Sequence, residues 1–127
     1  VIIKYTVTDD VGEVINHDTL LGQIHGGIAQ GVGQALYENL VYDKTGQCLS
    51  GSLMDYTLPR ADHFTMITHH LKNTKCKNNY LGVKGVGEAG TIGAPPAIIS
   101  AICDALSLAH IDMPVTSTKI WKSIKKR

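Results

Sequence analysis

The sequence has few cysteines, and their spacing excludes several kinds of site. Cys48, Cys76 and Cys103 are the only three in 127 residues, and no two of them form a CxxC pair. An odd, scattered set argues against a disulfide framework and against a cysteine-based zinc or iron–sulfur site. Free thiols fit a reducing compartment, so we expect a cytoplasmic protein.

Long apolar runs and an excess of one charge are also missing. No stretch is apolar enough to span a membrane, and the N-terminus lacks the pattern of a signal peptide. The formal net charge is only +1, so we expect neither nucleic acid nor a membrane surface as a partner. Charged residues make up 18% of the chain and there are thirteen glycines. Both values indicate a surface that something else partly covers.

The length allows one domain, spanning residues 1–127, with a modest core. The first residue is Val1 rather than Met. We therefore expect this sequence to be a piece of a longer protein.

A glycine-containing helix is predicted to begin near Thr19, capped by Asn16 or Asp18. Apolar residues recur at every fourth position, which is typical of a buried helical stripe: Leu20, Ile24, Ile28, Val32, Leu36 and Leu40. The same segment holds five glycines. Since each costs about 1 kcal/mol relative to alanine in a helix interior, we expect something to press close to this backbone.

One face of this helix carries the amide side chains of Gln23, Gln30 and Gln34, with Gly27 and Gly31 among them. Two interpretations are open. The face could hydrogen-bond a polar heterocycle or a phosphate. Alternatively, the glycines could allow tight helix–helix packing while the glutamines are solvated.

The remaining elements are predicted from apolar patterns and turn residues. They are a strand pair over 1–15 turning at 9–10, a hairpin of 40–42 and 48–56 around 43–46, a strand over 64–71, a loop over 72–80, a helix over 95–109, and a helix from Thr116 to Lys126 with Ile120, Trp121 and Ile124 facing inward. Together they predict an α+β fold, in which a small mixed sheet packs with about three helices.

The most informative stretch is GVKGVGEAGTIGAPP, from Gly82 to Pro96, where five glycines surround a single carboxylate, Glu88. Such backbone can take positive φ and approach a ligand closely. The double proline suits the first turn of a helix, whose N-terminus offers N–H groups to an anion.

Three interpretations of this loop compete. A dinucleotide-binding loop is suggested by the spacing Gly85-x-Gly87-x-x-Gly90, but no buried strand precedes it, the next acid (Asp104) lies inside a helix pattern, and Glu88 would meet the pyrophosphate. A glycine-rich surface turn with a solvated glutamate is the second. The third is a cofactor loop that presents Glu88 as a general base, made stronger by burial in a tight pocket.

The sequence itself favours the third interpretation. The Glu88 loop resembles the C-terminal glutamate loop of the molybdenum hydroxylases, the xanthine dehydrogenase and aerobic carbon monoxide dehydrogenase large-subunit family, which includes aldehyde oxidases. Two further stretches resemble this family in the same order: GQIHGGIAQGVGQALYE (22–38) and GSLMDYTLPRAD (51–62). The opening, VTDDVGEVINHDTLLGQ, is similar as well, so the resemblance covers nearly the whole chain.

The resemblance implies part of a molybdopterin-binding domain with Glu88 as the catalytic base and Gln30 against the pterin. It places other cofactor contacts, with differing strength of match, at Gly27, Gly31, Gln34, Lys84, Gly85, Val86, Gly87, Ala89, Gly90 and Thr91. The cofactor would be molybdopterin, in bacteria usually the cytosine dinucleotide form. Its dithiolene holds the metal, so no protein metal ligand is expected.

The implied function is that of the C-terminal part of a molybdenum-dependent oxidoreductase acting on a small molecule. The implied partners are the remainder of the large subunit and separate iron–sulfur and FAD subunits. Because the family's large chain is several times longer, we expect this segment to be inactive and to bind no cofactor alone. The alternative is a noncatalytic remnant that serves as an assembly module or self-associates as a homodimer through its glycine face.

Overall fold

The computed structural model describes residues 2–64 and 66–125. Its regular elements in chain order are β1 (Tyr5–Asp9), α1 (His17–Leu36), a short 3-10 turn (Ala61–His63), β2 (Ile67–Leu71), α2 (Ala89–Ala105) and α3 (Ser117–Lys125). The predicted α+β fold with about three helices is confirmed. Val1, Thr65 and Lys126, which the strand and helix predictions included, lie outside the described residues.

The sheet consists of two parallel strands rather than local hairpins. Tyr5 of β1 lies opposite Ile67 of β2, and Asp9 lies opposite Leu71. Parallel neighbours need a long crossover, which the chain between them, including α1, provides. The predicted second strand near 11–15 is wrong, because that segment forms only an isolated bridge from Gly12 to Val83.

The other predicted hairpin is likewise reduced to one bridge. Tyr42 pairs with Cys48, while the rest of 40–56 is irregular. The turn between them is confirmed: Gly46 has a φ of 88°, and Asp43 Oδ1 accepts a hydrogen bond of 2.8 Å from Thr45 N. A tight turn therefore exists here without regular strands on either side.

Helix α1 begins at His17, two residues before the predicted start near Thr19, and its cap is one of the two predicted residues. Asn16 is the N-cap, and its Oδ1 accepts a 2.8 Å hydrogen bond from Thr19 N. The predicted stripe from Leu20 to Val32 is buried. The helix ends at Leu36, so Leu40, the last predicted stripe residue, lies beyond it and is 59% exposed.

The two long helices touch through their backbones at glycines. A Cβ on Gly31 would lie 2.7 Å from Ala94 Cβ and 2.9 Å from Pro95 Cδ. A Cβ on Gly90 would collide with the carbonyl oxygen of Ile24 and lie 2.8 Å from Ile28 N. Real side chains do not pack this closely. Missing side chains on both helices thus allow the contact, around which the apolar core assembles.

The core contains one apolar cluster that α1 dominates. Its buried members are Val11, Leu20, Ile24, Ile28, Val32, Ala35, Ala94 and Ile98. Residues of both strands and of α2 pack against this cluster. The helix pair and the sheet therefore share one core.

Helix α2 does not have its predicted limits. The double proline was expected to open a helix over 95–109, but the helix runs from Ala89 to Ala105, with Pro95 and Pro96 inside it. Proline cannot donate the helical hydrogen bond to the carbonyl four residues earlier. Packing of this helix on α1 outweighs that local cost, and the glycine loop therefore leads into the helix six residues earlier than predicted.

Helix α3 has the predicted start but not the predicted burial. It follows Thr116, whose Oγ1 lies 3.5 Å from Lys119 N. Ile120 is half-buried, but Trp121 and Ile124, which were also expected to face inward, are each 54% exposed. The prediction was wrong because an amphipathic pattern reveals an apolar face but not which surface covers it.

A Gly90→Ala substitution should destabilise the chain. The new methyl group would meet the backbone of α1, and overpacking of this kind costs about 2 kcal/mol. Urea unfolding followed by circular dichroism should show this loss.

Gly93→Ala in the same helix is the matched control. Its Cβ would meet no heavy atom within 4 Å, so the substitution should raise stability by up to about 1 kcal/mol. Equal effects of both substitutions would contradict the backbone contact.

Candidate functional site

The glycine loop brings Glu88 to the start of α2. Glu88 is the N-cap residue, with φ −113° and ψ 2°, and its side chain makes no capping hydrogen bond. It is exposed. The carboxylate predicted as a base therefore borders the helix terminus and remains accessible in this chain.

Two glutamines of α1 contact the loop on either side of Glu88. Gln23 Nε2 donates a 2.8 Å hydrogen bond to the carbonyl oxygen of Gly87. Thr91 Oγ1 lies 3.1 Å from both Gln30 Oε1 and the Gly27 carbonyl, so its single proton can be donated to either. The segment that carries Glu88 is thus attached to α1 at both ends.

The loop presents backbone donors between these contacts. Within the described residues, the N–H groups of Gly85, Val86, Gly87 and Glu88 donate to no acceptor. Gly85 and Gly87 have no heavy atom within 4 Å of a would-be Cβ. By contrast, Ala89 N donates to Val86 O at 3.2 Å. Unpaired donors beside an open face can receive an anionic or carbonyl group.

Lys84 joins the loop to the end of β1. Its Nζ lies 2.8 Å from Asp10 Oδ2, and both side chains are 33% exposed. Asp10 Oδ1 also accepts from Thr74 N at 3.0 Å and Gly12 N at 3.2 Å. The Lys84 ammonium, aided by these N–H groups, holds the pKa of Asp10 well below its usual range. The contact of Lys84 with a cofactor stays a prediction.

Comparison with known proteins places this arrangement in a family. Residues 1–65 match the family described as the molybdopterin cofactor-binding domain. Subunit gamma of the 6-hydroxypseudooxynicotine dehydrogenase complex of Paenarthrobacter nicotinovorans is 41% identical over 123 residues, covering 94% of this chain and 16% of that protein. The carbon monoxide dehydrogenase large chain of Hydrogenophaga pseudoflava is 35% identical, covering 97% of this chain and 16% of that protein.

Solved structures agree. A crystal structure of Cu,Mo-CO dehydrogenase in its carbon monoxide reduced state superposes with a TM-score of 0.89 at 32% identity, covering 95% of this chain and 16% of that one. Quinoline 2-oxidoreductase from Pseudomonas putida 86 gives 0.89 at 35% identity, covering 96% and 16%.

The chain belongs to the molybdopterin cofactor-binding domain family. It matches a segment of the large subunits of the carbon monoxide dehydrogenase and xanthine dehydrogenase group. It spans about 16% of the length of the curated relatives named here.

The other residues predicted for the site lie in two places. Gly27, Gly31 and Gly90 lie in the α1–α2 contact, and their contact with a cofactor stays a prediction. Gln34 is exposed and shares a cleft of about 530 Å³ with Gln30, Glu38 and Tyr56. The Tyr56 hydroxyl donates to the Glu38 carboxylate, and this hydrogen bond raises the pKa of Tyr56.

The absence of a protein metal ligand stays a prediction. Among residues 2–64 and 66–125, no three His, Cys, Asp or Glu side chains are arranged to hold one. His69 and His70 take opposite sides of β2, the first half-buried and the second exposed. His25 on α1 has a buried Nε2 with no hydrogen-bond partner in the described part of the chain.

No described helix is long and apolar enough to cross a bilayer.

Sequence reasoning missed two residues of this site. Gln23 was noted on the glutamine face but not assigned to the site, although its seven-residue offset from Gln30 puts the two on one side of α1. Asp10 was interpreted only as part of a turn. No local signal marks its partner, because Lys84 lies 74 residues away.

Lys84→Met should raise the pKa of Asp10 toward its ordinary value of about 3.9. A depressed folded-state pKa contributes stability that is present above the unfolded-state pKa and is lost as pH falls through the folded one. The variant should therefore lose stability less steeply below about pH 4 than the parent does. Carboxyl NMR titration and acid unfolding measure both effects.

Lys75→Met is the control, because Lys75 pairs at 2.9 Å with a different acid, Glu13. It should leave the titration of Asp10 unchanged. An unshifted Asp10 in Lys84→Met would contradict the assigned cause.

Proposed function

We propose that this chain supplies the general base, Glu88, and part of the molybdopterin pocket of a molybdenum-dependent oxidoreductase large chain. One observation carries the proposal: the Gln23–Gly87 and Gln30–Thr91 contacts hold the Glu88 loop against α1 while the carboxylate remains accessible. A solvated surface turn would need no such attachment.

The residues present fit a molybdopterin group. The free N–H groups of Gly85 to Glu88 and the positive end of α2 suit phosphate or carbonyl oxygens of the cofactor. Gln30 Oε1 can accept from Thr91, and the Gln30 Nε2 donors remain for the pterin. The bound cofactor, in its cytosine dinucleotide form, would supply the two-electron oxidation.

The role of Glu88 in this scheme is to accept a proton as the substrate is oxidised. A carboxylate is a stronger base when it is shielded from water. Since Glu88 is exposed in this chain, its shielding would come from the cofactor and from the remainder of the large chain. In this scheme the present chain positions Glu88, and the cofactor and the remainder of the large chain shield it from water.

Several large apolar side chains support assembly with a larger protein. Leu53, Met54 and Tyr80 are 77%, 93% and 96% exposed, so their apolar surface is available for burial against a partner. The proposed partners are the remainder of the large chain and iron–sulfur and FAD subunits. Self-association through the glycine face is less favoured, because α2 already covers Gly27 and Gly31.

The names of the relatives guide the choice of substrates to test. They point to carbon monoxide in some cases and to nitrogen heterocycles in others, including nicotine, quinoline and hypoxanthine. A suitable panel is therefore carbon monoxide, nicotine, quinoline and hypoxanthine, with reduction of an electron-accepting dye as the readout.

Glu88→Gln should abolish most turnover in the complex assembled with the remainder of the large chain and its partner subunits. General-base catalysis contributes about 10²- to 10⁴-fold, so kcat should fall by that range while molybdenum content is retained. Dye reduction and metal analysis measure the two quantities.

Asp104→Asn, near the other end of the same helix and exposed, should leave kcat unchanged. If Glu88→Gln turns over as fast as this control, Glu88 is not the base.

The isolated 127-residue chain should contain far less than one molybdenum atom per chain, because it offers only part of the proposed pocket. Metal analysis after purification from a cofactor-producing host tests this. Light scattering with the remainder of the large chain should detect a complex. Stoichiometric molybdenum in the isolated chain would indicate an independent binding site. Self-association in place of the complex would favour the noncatalytic alternative.

A further inference from the structure

We propose that Gln23 is a positioning residue for Glu88, a role that rests on the proposed function of this acid as the base. The Gln23 side chain reaches from α1 to the carbonyl of Gly87, the residue directly before Glu88, at 2.8 Å. It touches the loop rather than the reacting atoms, so it acts through the backbone.

One hydrogen bond at this point orients a whole peptide group. The Gly87 carbonyl and the Glu88 N–H belong to the same planar trans peptide and point in opposite directions. When Gln23 holds the carbonyl toward α1, the Glu88 N–H is directed away from α1, toward the open side of the loop. The same bond therefore fixes where the Glu88 backbone begins and where its N–H donor points.

The Gly87–Glu88 peptide group has few other contacts that restrain its orientation. Gly87 has no heavy atom within 4 Å of a would-be Cβ, and glycine samples both signs of φ at little cost. On one side of this peptide, Lys84 pairs with Asp10, and on the other side Thr91 contacts Gln30. Among described residues, Gln23 makes the one side-chain hydrogen bond to the segment 85–88 that lies between those anchors.

The role differs from core packing. Gln23 is exposed, whereas its neighbour Ile24 is fully buried. Loss of the amide donor should therefore loosen the loop without unfolding the chain. Met and Glu at this position match the length of Gln but neither donates a hydrogen bond at neutral pH.

The test uses Gln23→Met and Gln23→Glu, with Gln47→Met as a control, because Gln47 lies on the distant turn and donates to Cys48 O. Amide exchange is followed by NMR in the 127-residue chain. Both variants should speed exchange about 2- to 10-fold, the effect of one hydrogen bond, at Ala89 and Ile92. These amides donate to Val86 and Glu88 carbonyls at the loop–helix junction. The chain should stay folded, and core amides, which exchange through global unfolding, should speed by no more than the same factor.

In the assembled enzyme, both variants should lower kcat about 10- to 100-fold, the effect of a misplaced group. Molybdenum content and KM for the panel compound that the parent oxidises fastest should remain unchanged. Unaltered exchange at Ala89 and Ile92, or unaltered kcat beside a Glu88→Gln variant that is inactive, would overturn the role of Gln23. An active Glu88→Gln variant would instead overturn the proposed function, whatever the exchange data show.

Discussion

The close approach of α1 and α2 is the constraint on which the rest of the structure depends. Gly27 on one helix and Gly90 on the other let the two backbones touch, and Gly31 makes room for Ala94 and Pro95. This contact sets the position of the first turn of α2, and with it the loop that precedes this turn. The glutamines of α1 can reach the loop only because the helices lie this near. Packing and site geometry therefore have the same cause.

The glutamine face and the glycine contact, which the sequence offered as alternatives, coexist. Gly27 and Gly31 serve the helix contact, while Gln23 and Gln30 flank it and hydrogen-bond the residues on either side of Glu88. Because α1 contacts α2 at glycines, the long polar side chains of α1 remain available at the edge of this contact. Five glycines weaken α1 as an isolated helix, and two of them, Gly27 and Gly31, permit the contact that stabilises it in the fold.

Much of this could be predicted from the sequence, and the failures have identifiable causes. The α1 stripe from Leu20 to Val32 and the Asn16 cap are local signals and were correct. The start of α2 was wrong because a double proline usually opens a helix, whereas here packing on α1 overrides it. The pairing of Tyr5 with Ile67 and of Lys84 with Asp10 joins distant segments, and no periodicity reports such contacts. The open face at Trp121 shows the remaining limit, since a pattern cannot name its partner.

The two-stranded sheet has a consequence for the proposed assembly of this segment with a larger protein. In the described part of the chain, β1 and β2 have only each other as neighbours. Each strand therefore has an outer edge whose main-chain groups can accept another strand. An incoming strand from elsewhere in a large subunit could extend the sheet on either side without disturbing the β1–β2 register. The segment could then become continuous with its surroundings through backbone hydrogen bonds, which are indifferent to the side chains of the strand that is added.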